Sequence, residues 1–288
     1  MKKQQIILIG SGVILFCLIY FFGRTVPPKS KTPRASTAST PHSSEDGHNH
    51  IDANSVLAAS KQQLTPQQQA LINQLEAGIV KGDTKDQQIK VYRKIAAFWR
   101  DSAHLILPFA YYSAQASKLE NSEKSLTFAA HYFLNGVRQQ TNPELKSWMA
   151  TEAKELFEQV LKINPANDSA KISLGSCYLF GSISENPMQG IQLIREVSER
   201  DPNNMYAQFV LGLGAAESGQ FDKAIERLNK VVAKEPQNLE AVLMLAQSYE
   251  QTGDKANAIK WFEVSKSFFK NDAKVVKEIN ERIESLKK

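Results

Sequence analysis

The 288-residue chain carries 35 Lys and Arg against 30 Asp and Glu, and 42% of its residues are hydrophobic. Six basic residues (Lys2, Lys3, Arg24, Lys29, Lys31, Arg34) precede the first acid, Glu45, which leaves 29 basic against 30 acidic residues in all. Beyond that segment the near-neutral balance excludes the clustered basic face that nucleic-acid binding needs. Two cysteines, Cys17 and Cys177, exclude a disulfide framework.

Residues 6–22, IILIGSGVILFCLIYFF, follow a short tail at 1–5 and contain no charge. At ~1.5 Å per residue they nearly span the ~30 Å hydrocarbon core of a bilayer. Lys2, Lys3 and Arg24 flank the run, and Tyr20, Phe21 and Phe22 stand where an interfacial aromatic belt sits. The pattern predicts an uncleaved transmembrane anchor. The alternative, a cleaved signal peptide, needs a small-x-small site that residues 23–27, GRTVP, do not supply. A lipoprotein signal is ruled against by Leu15 and Phe16 just before Cys17. The basic residues on the two sides are balanced, so they do not set the orientation.

Residues 23–64 read as a disordered linker rich in Pro, Ser, Thr and His, including Pro27, Pro28, Pro33 and Pro41. Such a stalk suits an extracytoplasmic position, giving a single-pass protein of a bacterial inner membrane with its folded part in the periplasm. Within it His42, His48 and His50, near Glu45, Asp46 and Asp52, have the donor types for a borderline metal ion. The competing reading is a polar tether that contains histidines.

Residues 65–140 read as four helices in pairs. Thr65-Pro66-Gln67-Gln68 is a capping box with proline at the first helical position. Leu71, Ile72, Leu75 and Ile79 then form one apolar stripe, ended by Gly82-Asp83. Helices over 84–103, 109–119 and 122–138 follow, the first with Ile89, Tyr92, Ile95, Ala96 and Trp99 inward. They keep the rhythm of helix pairs without a repeated residue pattern, as degenerate repeats or a helical cap would.

Residues 141–272 repeat. Asn142-Pro143 opens a long helix to Ile163, and a two-helix unit over 205–238 reappears 34 residues on. Leu211 maps to Leu245, Gly212 to Ala246, Gly219 to Gly253, Ala224 to Ala258 and Leu228 to Phe262, while Pro236 maps back to Pro202. A preceding unit carries Leu174, Gly175, Tyr178, Gly190 and Ile194; its spacing to the next is 37, and the extra residues are expected in the loop at 181–187. A last helix, 273–288, has Val276, Ile279, Ile283 and Leu286 on one face, as a solvating cap requires.

This pattern resembles the tetratricopeptide repeat (TPR) family. The resemblance implies an all-α fold, an α-solenoid of antiparallel helix pairs with about twelve helices, behind the one N-terminal transmembrane helix. It assigns the Leu-Gly, Ala and Pro positions to packing between helices. It also implies that first helices line a groove, here Ile172, Ser176 and Leu179, then Tyr206, Phe209 and Leu213, then Leu243, Gln247 and Glu250. The Lys/Asn/Arg clamp by which some family members hold a C-terminal carboxylate is missing. The groove is apolar in its middle and acidic towards the C-terminus, which suits an amphipathic helix or an extended apolar peptide. Alternatively, Ile172, Phe209 and Leu243 pack against neighbouring units.

No catalytic set, phosphate-binding loop or cofactor motif is present in the sequence. The expected function is therefore a non-enzymatic adaptor, held to the membrane by residues 6–22 and binding a protein or peptide in the cell envelope. The layout resembles bacterial single-anchor TPR proteins of the translocon or of cytochrome c assembly. A metal-handling envelope protein using His42, His48 and His50 is the alternative.

Overall fold

The computed structural model describes residues 51–79, 84–184 and 186–288. The anchor at 6–22, the linker up to residue 50, His42, His48 and His50, and the helix stop at Gly82-Asp83 lie outside these residues. Among the described residues there are thirteen α-helices, one short 3-10 turn and no strand. None of these helices is long and apolar enough to cross a membrane.

In chain order the helices are α1 (Ala53–Lys61), α2 (Pro66–Glu76), α3 (Lys85–Asp101), α4 (Ile106–Glu120), α5 (Glu123–Val137), α6 (Pro143–Ile163) and α7 (Asp168–Phe180). They continue as α8 (Met188–Arg200), α9 (Met205–Glu217), α10 (Phe221–Lys234), α11 (Leu239–Gln251), α12 (Lys255–Lys266) and α13 (Ala273–Lys287). The starts are chemically marked. Asn142, Asn167, Asn204 and Asn238 each accept a hydrogen bond from the backbone N–H three residues on, satisfying a donor the helix leaves open. Thr65 forms the expected capping box with Gln68, and Thr84 forms a second with Gln87. Gly219 and Gly253 turn the chain between helices at φ +74° and +79°, a region where a β-carbon is strained.

The helices pack as pairs, α3 with α4, α5 with α6, α7 with α8, α9 with α10 and α11 with α12. The structure therefore draws the unit boundary between α4 and α5. The expected division at residues 140 and 141 splits a pair instead, because α5 and α6 pack on each other. The insertion falls where expected. The α7–α8 loop has seven residues against three between α9 and α10, and α8 is one residue shorter than α10, which accounts for the net three.

Two further expectations change. The linker does not extend to residue 64: α1 occupies part of that stretch, capped by Asp52 and packed on α4, with Val56 buried in the main core cluster and Leu64 in one cluster with Ile72 and Trp99. Lys61 and the Tyr112 hydroxyl both bond to Glu76, the latter at 2.7 Å, so α1, α2 and α4 share one polar knot. Enough apolar surface is present after Ile51 to dock the helix, which is the condition a disordered linker fails. In addition α2 ends at Glu76, so Ile79 lies beyond it; Ile72 alone of the predicted stripe is fully buried, while Leu71 and Ile79 are exposed.

The core runs along the array. Phe133, Phe157, Leu156, Ile172 and Ile194 are fully buried in its middle. At the C-terminal end Ile279, Ile283 and Leu286 of α13 cover Ala246, Ala258 and Phe262, as expected of a cap.

Candidate functional site

The first helices of successive pairs touch one another in the order α5, α7, α9, α11. In a flat layer, axes spaced 8–10 Å apart would separate α5 from α11 by roughly 25–30 Å. One side chain nevertheless joins them. Arg138, at the C-terminus of α5, donates from Nε to Glu217 of α9 at 3.0 Å and from Nη1 to Glu240 of α11. The layer is therefore curved, and these helices line its concave face.

A cavity of about 160 Å³ opens on that face. Tyr206 and Phe209 stand half-buried at it, Ser176 and Leu213 line it from α7 and α9, and Arg138 and Glu240 stand at it from α5 and α11. The Tyr206 hydroxyl lies 3.1 Å from Ser173 Oγ, and burial pushes its pKa above the usual phenol value. The Arg138 guanidinium sits 5.3 Å from the Phe180 ring centre. Burial opposes its charge, but Glu240 and Glu217 more than offset this, and its pKa is raised. A second cavity of about 490 Å³ involves α9, α11 and α13, with Glu217, Gln247, Glu250 and Arg282 on its walls. Arg282 binds Glu250 through two nitrogens, at 2.6 and 3.1 Å.

Of the nine predicted groove residues, the structure brings Ser176, Tyr206, Phe209 and Leu213 to the first cavity and Gln247 and Glu250 to the second. Ile172 is 0% exposed and belongs to the core cluster that runs through α5, α6 and α7. Leu213 and Ser176 are also buried, at 2% and 4%, so they form floor and offer little contact area. Leu179 belongs elsewhere: it fills the space above Gly214 and lines a separate small cavity with Arg195 and Arg227. Leu243 is half-buried and lines neither of the two concave-face cavities. Arg138 and its α5 neighbours Leu134 and Asn135 are the residues that sequence reasoning missed. The signal available was indirect. A family-like second helix in α6 implies a first helix before it, and α5 is that helix.

The isolated reactive side chains are held by packing. Cys177 is fully buried, and burial pushes its thiol up to about 12. In a Cys17→Ser background the folded protein is expected to leave a chromogenic disulfide reagent unreacted at pH 8 and to release one equivalent of thiol on denaturation; prompt reaction of the folded form would contradict this burial. His131 stacks edge-on to Phe157 at 5.3 Å, and burial lowers its pKa. Its proton is then taken up by the unfolded chain first. Stability is therefore lost as pH falls below the ordinary histidine value of 6.5 towards the lower folded value. The slope of melting temperature against pH between about 5 and 6.5 is expected to flatten in His131→Gln; an unchanged slope would assign it to other groups. Among the described residues no three His, Cys, Asp or Glu side chains are grouped to hold a metal ion.

Residues 209–273 match the family model described as tetratricopeptide repeat. Over 107 residues, 37% of its length, the chain is 27% identical to cellulose synthase operon protein C of Escherichia coli (strain K12), and equally to the putative protein of that name in Escherichia coli O157:H7. It spans 9% of the length of either relative. A solved structure of MamA superposes with a TM-score of 0.44 at 18% identity, covering 66% of this chain and 96% of that one. MamA of Desulfovibrio magneticus RS-1, from residue 41 onward, gives 0.44 at 20% identity over 65% and 98%. YrrB, described as a TPR protein with an unusual peptide-binding site, gives 0.40 at 16% identity over 67% and 95%.

Proposed function

We propose that this chain, which carries tetratricopeptide repeats over residues 209–273, is a non-catalytic scaffold that holds a segment of another envelope protein along its concave face. The observation that carries the reading is the curved layer of α5, α7, α9 and α11, with half-buried Tyr206 and Phe209 at a cavity open to solvent. Aromatic rings left partly exposed beside a cavity are what an apolar side chain of a partner would cover. Residues 6–22 tether the scaffold to a bacterial inner membrane with its helices in the periplasm. The support for this is the uncharged run between Lys3 and Arg24 and the Pro/Ser/Thr-rich stretch that follows.

Photo-crosslinking from single sites in the full-length protein tests the scaffold reading. A benzophenone at Phe209 or Gln247 is expected to trap one identifiable protein, and the same probe at exposed Lys230 on α10 is not. Equal trapping from Lys230, or none from Phe209 and Gln247, would sink it.

A further inference from the structure

The charges at these two cavities do not balance. Glu217, Glu240 and Glu250 face two guanidiniums, Arg138 and Arg282. Arg282 is committed to both oxygens of Glu250. Arg138 meets Oε1 of Glu217 and Oε1 of Glu240, one guanidinium shared by two carboxylates. Those carboxylates remain about half exposed, at 46% and 48%, so water now solvates the surplus negative charge.

A partner laid over Tyr206 and Phe209 also covers Glu240, which stands at the same cavity. A wholly apolar segment would strip water from an uncompensated carboxylate, which is costly. A segment with one cation restores neutrality and gains charge-assisted hydrogen bonds to the carboxylate oxygens that Arg138 does not occupy. An acidic segment is disfavoured, since it would bring a third carboxylate to the one guanidinium that Glu217 and Glu240 already share. We propose that the ligand of this groove is an apolar peptide segment bearing one lysine or arginine, whose cation sits between Glu217 and Glu240 beside Arg138. This rests on the groove reading above and adds the chemistry of the occupant.

The test is a display selection of random dodecapeptides against the purified full-length protein, followed by titration of one selected peptide. Selected sequences are expected to share a single Lys or Arg flanked by apolar residues. Replacing that residue with norleucine, or the protein's pair with Glu217→Gln and Glu240→Gln, is expected to weaken binding about tenfold. Arg138→Gln should tighten it severalfold, because both carboxylates lose the guanidinium they share. A structural role for Arg138 alone would not produce that gain. Binders that need Phe209 but show no preference for a basic residue, or prefer an acidic one, would overturn the proposal and leave the groove reading standing. If no selected peptide loses affinity in Phe209→Ala, the groove reading fails and the proposal falls with it.

Discussion

Gly190→Ala is expected to lower the unfolding free energy by about 3 kcal/mol, at the upper end for overpacking by a single methyl. A β-carbon at Gly190 would lie 2.4 Å from the Gly175 carbonyl oxygen, 2.9 Å from Tyr178 Cβ and 3.2 Å from the Leu179 nitrogen. Two of these three neighbours are backbone atoms, so no side-chain rotation relieves the clash, and α7 and α8 must separate. Gly219→Ala is the matched control. Nothing lies within 4 Å of its new methyl, so only the positive φ of +74° is penalised, at about 1 kcal/mol. Denaturant melts of the two variants decide the matter. Equal losses would mean that the α7–α8 crossing is not as close as described.

Phe157→Ala is expected to cost about 3–5 kcal/mol, the range for truncating a buried phenylalanine. Phe157 is fully buried on α6, within the core cluster that reaches from α1 to α9. A loss of that size is a large share of the roughly 5–15 kcal/mol that holds a folded domain. In an array each unit contacts mainly its neighbours, so the damage should be local. Amide exchange is expected to rise most in α5, α6 and α7 and least in α12 and α13. Uniform exchange along the chain, or a loss below about 1 kcal/mol, would count against a core continuous through α6.

The repeated units were legible because their signals are short-range. Leu211-Gly212 and the Gly219 turn each act within a helix or a turn, and their counterparts Leu245-Ala246 and Gly253 stand 34 residues on. The three-residue excess before α9 could be placed in the α7–α8 loop for the same reason. The first helices of the array were harder. In α5 the packing residues Leu126, Ala129, Ala130 and Phe133 are buried, yet nothing local marks the helix as the partner of α6. Likewise α1 is short, and it joins the fold through long-range contacts: Val56 in the core where α1 packs on α4, and Lys61 bonded to Glu76.

The candidate site divides along the same line. A repeat frame names positions on the first helices, but it cannot say which of them a neighbouring unit covers. Ile172 and Phe209 are both apolar and both at groove positions of the repeat frame, and only the stacking of the units sends the former fully into the core. What the amino-acid sequence determined by itself was the all-helical repeat architecture, because helix periodicity and turns depend on residues a few positions apart and the repeat returns them at a fixed interval. What only the tertiary structure decided was the concave face: Arg138 meets Glu217 and Glu240 across 79 and 102 residues. That meeting is set by the accumulated curvature of stacked pairs, which no local pattern encodes.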